Sequence, residues 1–356
     1  MRAHLTRVLT FAVVGSLVAL ALLVGDRYLP DQPNQPEQLP PAVVTVGDST
    51  LSGEGSGGYT PETDGAAGNW CHRSPAAVVH QMPLPPGVTP INLACSGAKA
   101  GAISSPEGTE RAQADQLADI ARHHRVTAVV VQVGANDDPA FTDLVNRCVS
   151  AWSSRVPGGC SQQIRAQWPQ RLERMQPKAL EALRSIRAAM DGAGYTPAGY
   201  QLVLQSYASP VGTGVEPQLR NLSGCPFQKV DLQWIQETGV RQLSEALREV
   251  AHQAGARFLD LSRAGQGHGA CSGGASPDRE WFTRLTVDWD SLSDDTRANH
   301  AMQASFHPNA RGSAEFARCL AEFLAGPAPE AACLPDERGN LRVVSDASAL
   351  SSAGHP

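Results

Sequence analysis

The octapeptide Ala42-Val43-Val44-Thr45-Val46-Gly47-Asp48-Ser49 decides the fold of this chain. A β-branched, apolar run ends abruptly in Gly-Asp-Ser. Such a run fits a strand covered on both faces, as in a parallel sheet, and the turn after it carries a hydroxyl. A weak nucleophile needs that kind of rigid support, with backbone N–H groups nearby to receive an oxyanion. Four further runs have strand character, at residues 91–94, 128–133, 201–205 and 258–261. Helical spacing fills the gaps. Leu117, Ile120 and Ala121 recur within 113–123, and Leu172, Met175, Leu180, Leu183 and Ile186 within 171–190. Leu232, Ile235, Val240, Leu243, Leu247 and Val250 do so within 231–254, and a last helix is predicted at 312–324. Alternation of strand and helix predicts an α/β fold with a five-stranded parallel sheet and right-handed crossovers. Neither a second core nor an internal repeat interrupts it.

Ligands of open α/β sheets bind beyond the carboxyl ends of the strands. Three motifs fall there: Ser49 after the first strand, Ser96-Gly97 after the second, and Gly134-Ala135-Asn136-Asp137 after the third. A fourth, Ser305-Phe306-His307-Pro308, precedes the last helix. Each has a plain structural reading, as a helix cap or a turn. Taken together, the four blocks resemble those of the SGNH (GDSL) hydrolases, in order and spacing, over residues 41–325. Asn69-Trp70-Cys71-His72-Arg73-Ser74 and Gly267-His268-Gly269-Ala270-Cys271 are similar to tracts of the secreted, disulfide-bonded actinobacterial esterase and lipase branch.

The resemblance implies a three-layer α/β/α, flavodoxin-like domain that hydrolyses esters through an acyl-Ser49 intermediate. His307 is then the general base, and Ser49 N–H, Gly97 N–H and the Asn136 side chain form the oxyanion hole. No metal or organic cofactor is implied. One departure stands out. The family usually carries Asp three residues before the histidine, and here that position is Ala304. A carbonyl of Ala304 or Ser305 would orient His307 in a dyad, with Asp288 and Asp290 as more distant substitutes. Asp48 reads as a residue that holds the turn, His268 as structural or substrate-lining, and His72 as a local hydrogen-bonding residue. Gly53-Glu54-Gly55-Ser56-Gly57-Gly58 matches the spacing of a dinucleotide site, but Ser49 already occupies the strand-to-helix turn. That segment reads as a mobile loop that widens the site.

Composition narrows the setting. The 356 residues carry 29 Lys and Arg against 35 Asp and Glu, a net charge of −6, with no basic field to attract nucleic acid. Residues 8–25 are free of charge, follow Arg2 and Arg7, and span roughly 27 Å as a helix, near the thickness of a bilayer core. They form an N-terminal signal-anchor, or alternatively a cleaved signal peptide. A Pro-rich linker (26–40), the hydrolase domain (41–330) and a polar, disordered tail (331–356) complete the chain. Eight cysteines, at 71, 95, 148, 160, 225, 271, 319 and 333, lie beyond the linker. An even count on the exported side argues for disulfides, and the absence of any Cys-x-x-Cys argues against the rival reading, zinc. The resemblance implies sequential pairing: Cys71–Cys95, Cys148–Cys160 and Cys225–Cys271, leaving Cys319–Cys333. The expected protein is a secreted or membrane-anchored monomer acting on lipid or small carboxylic esters. The alternatives are a polysaccharide acetyl-esterase and a catalytically silent, surface-anchored binding domain.

Overall fold

In the computed structural model, residues 38–274, 276–289 and 300–345 are described. The octapeptide forms β1 (Pro41–Gly47), whose residues from Ala42 onward are buried, as a strand covered on both faces requires. β1 pairs in parallel with β2 (Thr89–Asn92) on one side and β3 (Arg125–Gln132) on the other. β4 (Gln201–Gln205) and β5 (Arg257–Asp260) extend the sheet in parallel. The order β2-β1-β3-β4-β5 is the doubly wound, flavodoxin-like one, with its switch point beside β1.

Two short helices follow β1: α1 (Ser49–Ser52) and α2 (Val78–Gln81). In one helical layer α3 (Gln113–His123) and the long α5 (Ser161–Gly192) pack together, with α4 (Phe141–Ser153) preceding α5. α5 begins ten residues earlier than its apolar spacing predicts. The backbone N–H groups of Cys160 and Ser161 donate to the buried Asp231 carboxylate (3.2 and 2.8 Å), which caps the helix from 70 residues away. The single helix expected at 231–254 is split. α6 (Lys229–Trp234) passes into a π turn (Ile235–Gly239) and then α7 (Val240–Ala254), which packs on α5. At the π turn, a Cβ on Gly239 would lie 3.2 Å from the Trp234 ring, so the helix widens where that indole needs room. α8 (Ala310–Ala325) packs with α2.

The sheet has seven strands, not five. β6 (Glu330–Pro335) pairs in parallel with β5, and β7 (Leu341–Val344) pairs antiparallel with β6. The segment read as a polar tail from residue 331 therefore supplies the sheet edge. Its hairpin was hidden because the turn between these strands, 336–340, is wholly polar. Asp336 Oδ1 accepts from the N–H groups of Arg338 and Asn340 (2.8 and 2.9 Å), and Gly339 takes a φ of +81°. Leu341 is fully buried.

All eight cysteines are paired, as Cys71–Cys95, Cys148–Cys160, Cys225–Cys271 and Cys319–Cys333. The last ties α8 to β6. Among the described residues no helix is long and apolar enough to cross a membrane. The apolar run at 8–25 and most of the linker lie outside them. Because Leu341 is the buried anchor of the edge hairpin, Leu341→Ala should lower unfolding stability by about 2–4 kcal/mol in urea titration, a loss that a disordered tail would not show.

Candidate active site

Gly47 is the pivot of the site. Its φ is +138°, and a Cβ there would lie 2.1 Å from the carbonyl oxygen of Gln132 on β3. Gln113 grips it from both sides, accepting from Gly47 N–H (2.6 Å) and donating to Gly47 O (2.9 Å). Asp48 N–H donates to Gln132 O (3.1 Å), and Asp48 Oδ1 caps α1 by accepting from Thr50 N–H (3.1 Å). Ser49 is then the first helical residue, whose N–H has no partner within the helix.

His307 arrives from the loop before α8, 258 residues away, and its Nε2 stands 2.7 Å from Ser49 Oγ. Its Nδ1 is 3.1 Å from the carbonyl oxygen of Ser305. With Nδ1–H donated to that carbonyl, the Nε2 lone pair faces the Ser49 hydroxyl. Ser305 is itself locked. Its hydroxyl accepts from Thr286 N–H and donates to Thr286 O, both at 2.9 Å. Thr283 Oγ1 accepts from His307 N–H (3.2 Å) and donates to Ala304 O. Between them Phe306 is buried at φ +60°, a conformation that a bulky residue seldom adopts. Of the two candidate acids, Asp288 donates its backbone N–H to Ala301 O (2.7 Å), and Asp290 lies outside the described residues.

Gly97 sits in the turn closed by Ala98 N–H to Cys95 O (3.1 Å), at φ +80°. No protein atom lies within 4 Å of a Cβ built there, so its backbone conformation, rather than crowding by the protein, calls for glycine. Asn136 Nδ2 donates to Ala98 O (3.1 Å), which anchors the amide and leaves its second N–H for a ligand. The Gly-rich segment after α1 is packed, not open. Glu54 is fully buried, a Cβ on Gly55 would lie 3.0 Å from His307 Cβ, and Ser56 Oγ donates to Pro308 O (3.3 Å). His72 Nδ1 faces Glu54 Oε2 at 2.8 Å. His268 stacks on the buried Trp281 (4.0 Å) with its Nδ1 on Arg279 O, as a structural residue does.

Burial decides the charges. It pushes the His307 pKa below its ordinary value, against the nearby Glu54 charge and the Ser305 carbonyl, which both favour the imidazolium. The imidazole is thus neutral and able to accept a proton. Burial also pushes Asp48 up to about 7, although the hydroxyl of Tyr207 and Thr50 N–H donate to its carboxylate. Tyr207 also accepts from Ala135 N–H (3.3 Å), so it ties the first motif to the third. Sequence reading passed over Tyr207, although it stands two residues beyond β4, where the strand-end rule places ligand-binding groups.

A second missed feature adjoins the dyad. Phe141, Pro210, Val240, Leu243 and Phe306 line both the Ser49–His307 cleft and an apolar cavity beside it. That cavity, lined by apolar side chains and partly open to solvent, runs on to Trp168, Phe227, Trp234 and Val211. These residues come from five separate segments, and their helical spacing alone reads as core.

Residues 45–314 match the model of the GDSL-like lipase/acylhydrolase family. Over 330 residues the chain is 25% identical to Lipase 2 of Streptomyces coelicolor, covering 88% of this chain and 95% of that protein. The crystal structure of phospholipase A1 from Streptomyces albidoflavus NA297 superposes with a TM-score of 0.54 at 19% identity, over 77% of this chain and 94% of that one. An extracellular lipase from Streptomyces rimosus aligns at 18% identity over 76% of this chain and 94% of its own, with a TM-score of 0.48.

Two outcomes follow from this geometry. Asp48 is ordinarily acidic at 3.8 and here near 7, so the folded state prefers its protonated form. The stability this confers is complete below pH 3.8 and lost as pH rises through about 7. Wild type should therefore lose about 1–3 kcal/mol between pH 5 and pH 8 that Asp48→Asn does not, by urea unfolding at the two pH values. Because Ser305 O already takes the His307 Nδ1–H, Asp288→Asn and Asp290→Asn should each keep ester turnover within about threefold of wild type. A fall of roughly 10⁴-fold in either would reveal a triad acid.

Proposed function

This chain belongs to the GDSL-like lipase/acylhydrolase family of ester hydrolases, and we propose that it cleaves esters of long apolar acyl chains through an acyl-Ser49 intermediate. The 2.7 Å contact between Ser49 Oγ and His307 Nε2 carries the reading. As Ser49 Oγ bonds to the ester carbonyl carbon, its proton passes to Nε2, and the carbonyl oxygen becomes an oxyanion facing Ser49 N–H, Gly97 N–H and the second Asn136 N–H. Each such donor is worth about 3 kcal/mol to the transition state. Collapse expels the alcohol, which takes the proton from Nε2. Water, deprotonated by the same nitrogen, then releases the acid and frees Ser49.

The apolar cavity supports a long acyl chain. Its apolar lining extends from Phe306 to Trp168 and Trp234, beyond the reach of an acetyl group, and each methylene buried against it contributes about 0.8 kcal/mol. The name of the Streptomyces coelicolor relative, a lipase, points the same way. Four disulfides fit an oxidising, extracytoplasmic setting. A panel of p-nitrophenyl esters from acetate to palmitate, with acetylated xylan beside it, tests the proposal. Expected is a kcat/KM that climbs about two- to fourfold per methylene until the cavity is full, and no turnover or fluorophosphonate labelling in Ser49→Ala. Preference for acetylated xylan would favour a polysaccharide acetyl-esterase, and inertness toward every ester would favour a binding domain.

A further inference from the structure

Glu54 is a fully buried carboxylate in a Gly-rich loop, and the reaction as described does not use it. Three side chains converge on it. Ser96 Oγ donates to Oε2 (2.7 Å), Tyr59 Oη donates to Oε1 (2.9 Å), and His72 Nδ1 stands 2.8 Å from Oε2. Tyr59 stacks on the His72 ring (4.1 Å) and accepts from Gly55 N–H (3.1 Å). The cluster is joined to the stretches that make the site. Glu54 N–H donates to Ser49 O (3.0 Å), Ser96 precedes Gly97, and Gly55 packs against His307. His72 follows Cys71, which is bonded to Cys95. The carboxylate therefore lies where the nucleophile turn, the oxyanion turn and the base loop meet.

We infer that Glu54 is the positioning residue of the hydrolytic dyad: its buried carboxylate supplies the fixed negative charge that Ala304 cannot, and so stabilises His307 when that ring becomes an imidazolium. The inference rests on the ester-hydrolase reading above. In the attack step the Ser49 O–H bond breaks and an N–H bond forms at Nε2 while Oγ bonds to the carbonyl carbon. The ring gains one positive charge and the substrate oxygen one negative charge. The Ser305 carbonyl orients that ring with a dipole but carries no net charge. Glu54 carries one, in a dry site where a charge reaches further than in water.

The surrounding ionisable groups agree. Burial alone would raise the Glu54 pKa, but the His72 hydrogen bond, the proximity of His307 and the Ser96 hydroxyl bring it below the ordinary carboxylate value. Glu54 and His72 are the two chargeable side chains acting on His307, and they act in opposite directions. On the Ser49 side, Asp48 is held by Tyr207, and Asp137 Oδ2 accepts from Ala100 N–H (3.0 Å).

The test reads His307 directly. In full-length protein, the Hε1 resonance of His307, identified by its loss in His307→Ala, is titrated by NMR in wild type and in Glu54→Gln. The midpoint should fall by on the order of one pH unit in the variant. The acid limb of kcat/KM should move down with it, and kcat should fall about tenfold with KM nearly constant. Ala304→Asp placed in the Glu54→Gln chain should restore most of both, because it puts a carboxylate on the base loop in place of the one lost. A residue that only holds the loop together would change the melting temperature and leave the His307 midpoint in place. An unmoved midpoint in folded Glu54→Gln overturns the inference. Should that variant not fold, the double variant Glu54→Gln, His72→Asn removes the pair together and keeps a side chain that tolerates the positive φ of residue 72. Because His72 opposes Glu54 at His307, the double variant is read against His72→Asn alone, so that only the carboxylate differs; the same fall is expected between those two, and an unmoved midpoint again overturns the inference. The NMR midpoint needs no turnover. A wild type inert toward all esters would sink the hydrolase reading, while the titration would still decide whether Glu54 acts on His307.

Discussion

The close approach of β1 to β3 at Gly47 is the constraint on which the site depends. A Cβ at that position would overlap the Gln132 carbonyl at 2.1 Å, and the backbone takes a φ of +138° that other residues rarely adopt. Bending the chain there releases Asp48 and Ser49 from the strand together. Asp48 N–H stays on Gln132 O, its carboxyl turns to Tyr207, and Ser49 opens a helix with its hydroxyl toward His307. Gln113 holds Gly47 by donor and acceptor at once, so the turn has no freedom to rotate. A nucleophile on such a support costs little to order at the moment of reaction, which is what preorganisation requires.

Two buried carboxylates flank this turn, and the same dry surroundings treat them oppositely. Asp48 receives one hydroxyl and one backbone N–H, and burial keeps it near neutral. Glu54 receives two hydroxyls and faces a histidine ring nitrogen, enough to hold its charge despite burial. The number and kind of donors, more than depth, separates them. Below about pH 7 Asp48 can then cap α1 and anchor Tyr207 without opposing the oxyanion of the proposed reaction, while Glu54 would favour a cation on His307.

What could be read from the chain follows from how local each signal is. Five parallel strands, and the placing of Ser49, Gly97 and Asn136 beyond three of them, need only runs of apolar residues and the turns between. His307 needed the order of four blocks, since its partner lies 258 residues away. The choice between Ala304 and Ser305 as its carbonyl partner turned on the φ of Phe306, which no pattern of residue types reveals. β6 and β7 escaped because one strand is Ala-rich and the other is short and follows a polar turn, and only the sheet edge makes them strands. Glu54 was hidden by its neighbours. Four glycines in six residues read as slack chain, whereas two of them, Gly53 and Gly55, would bring a Cβ to 3.0 Å or less of Ala77 or His307. Asp231, as a cap for α5, was legible at no distance shorter than the tertiary fold.

His307 and the apolar cavity are coupled through one residue. Phe306 lines the cavity, and its ring meets Phe227 edge-on at 5.1 Å, so it is part of the apolar wall. It is also the residue between Ser305, whose carbonyl orients the imidazole, and His307. The strained backbone at Phe306 is what lets one segment turn a carbonyl toward Nδ1 and a ring toward the apolar cavity. Desolvation of His307 then comes partly from the same apolar surface that would receive the substrate. An acyl chain filling the cavity would exclude more water and make the imidazolium costlier still. A base oriented only by a dipole would weaken as its substrate binds better, and a fixed charge offsets that loss. On the proposed reading the apolar cavity and the buried Glu54 carboxylate are two halves of one solution: the first would set which chain enters, and the second would keep the proton transfer feasible once it has.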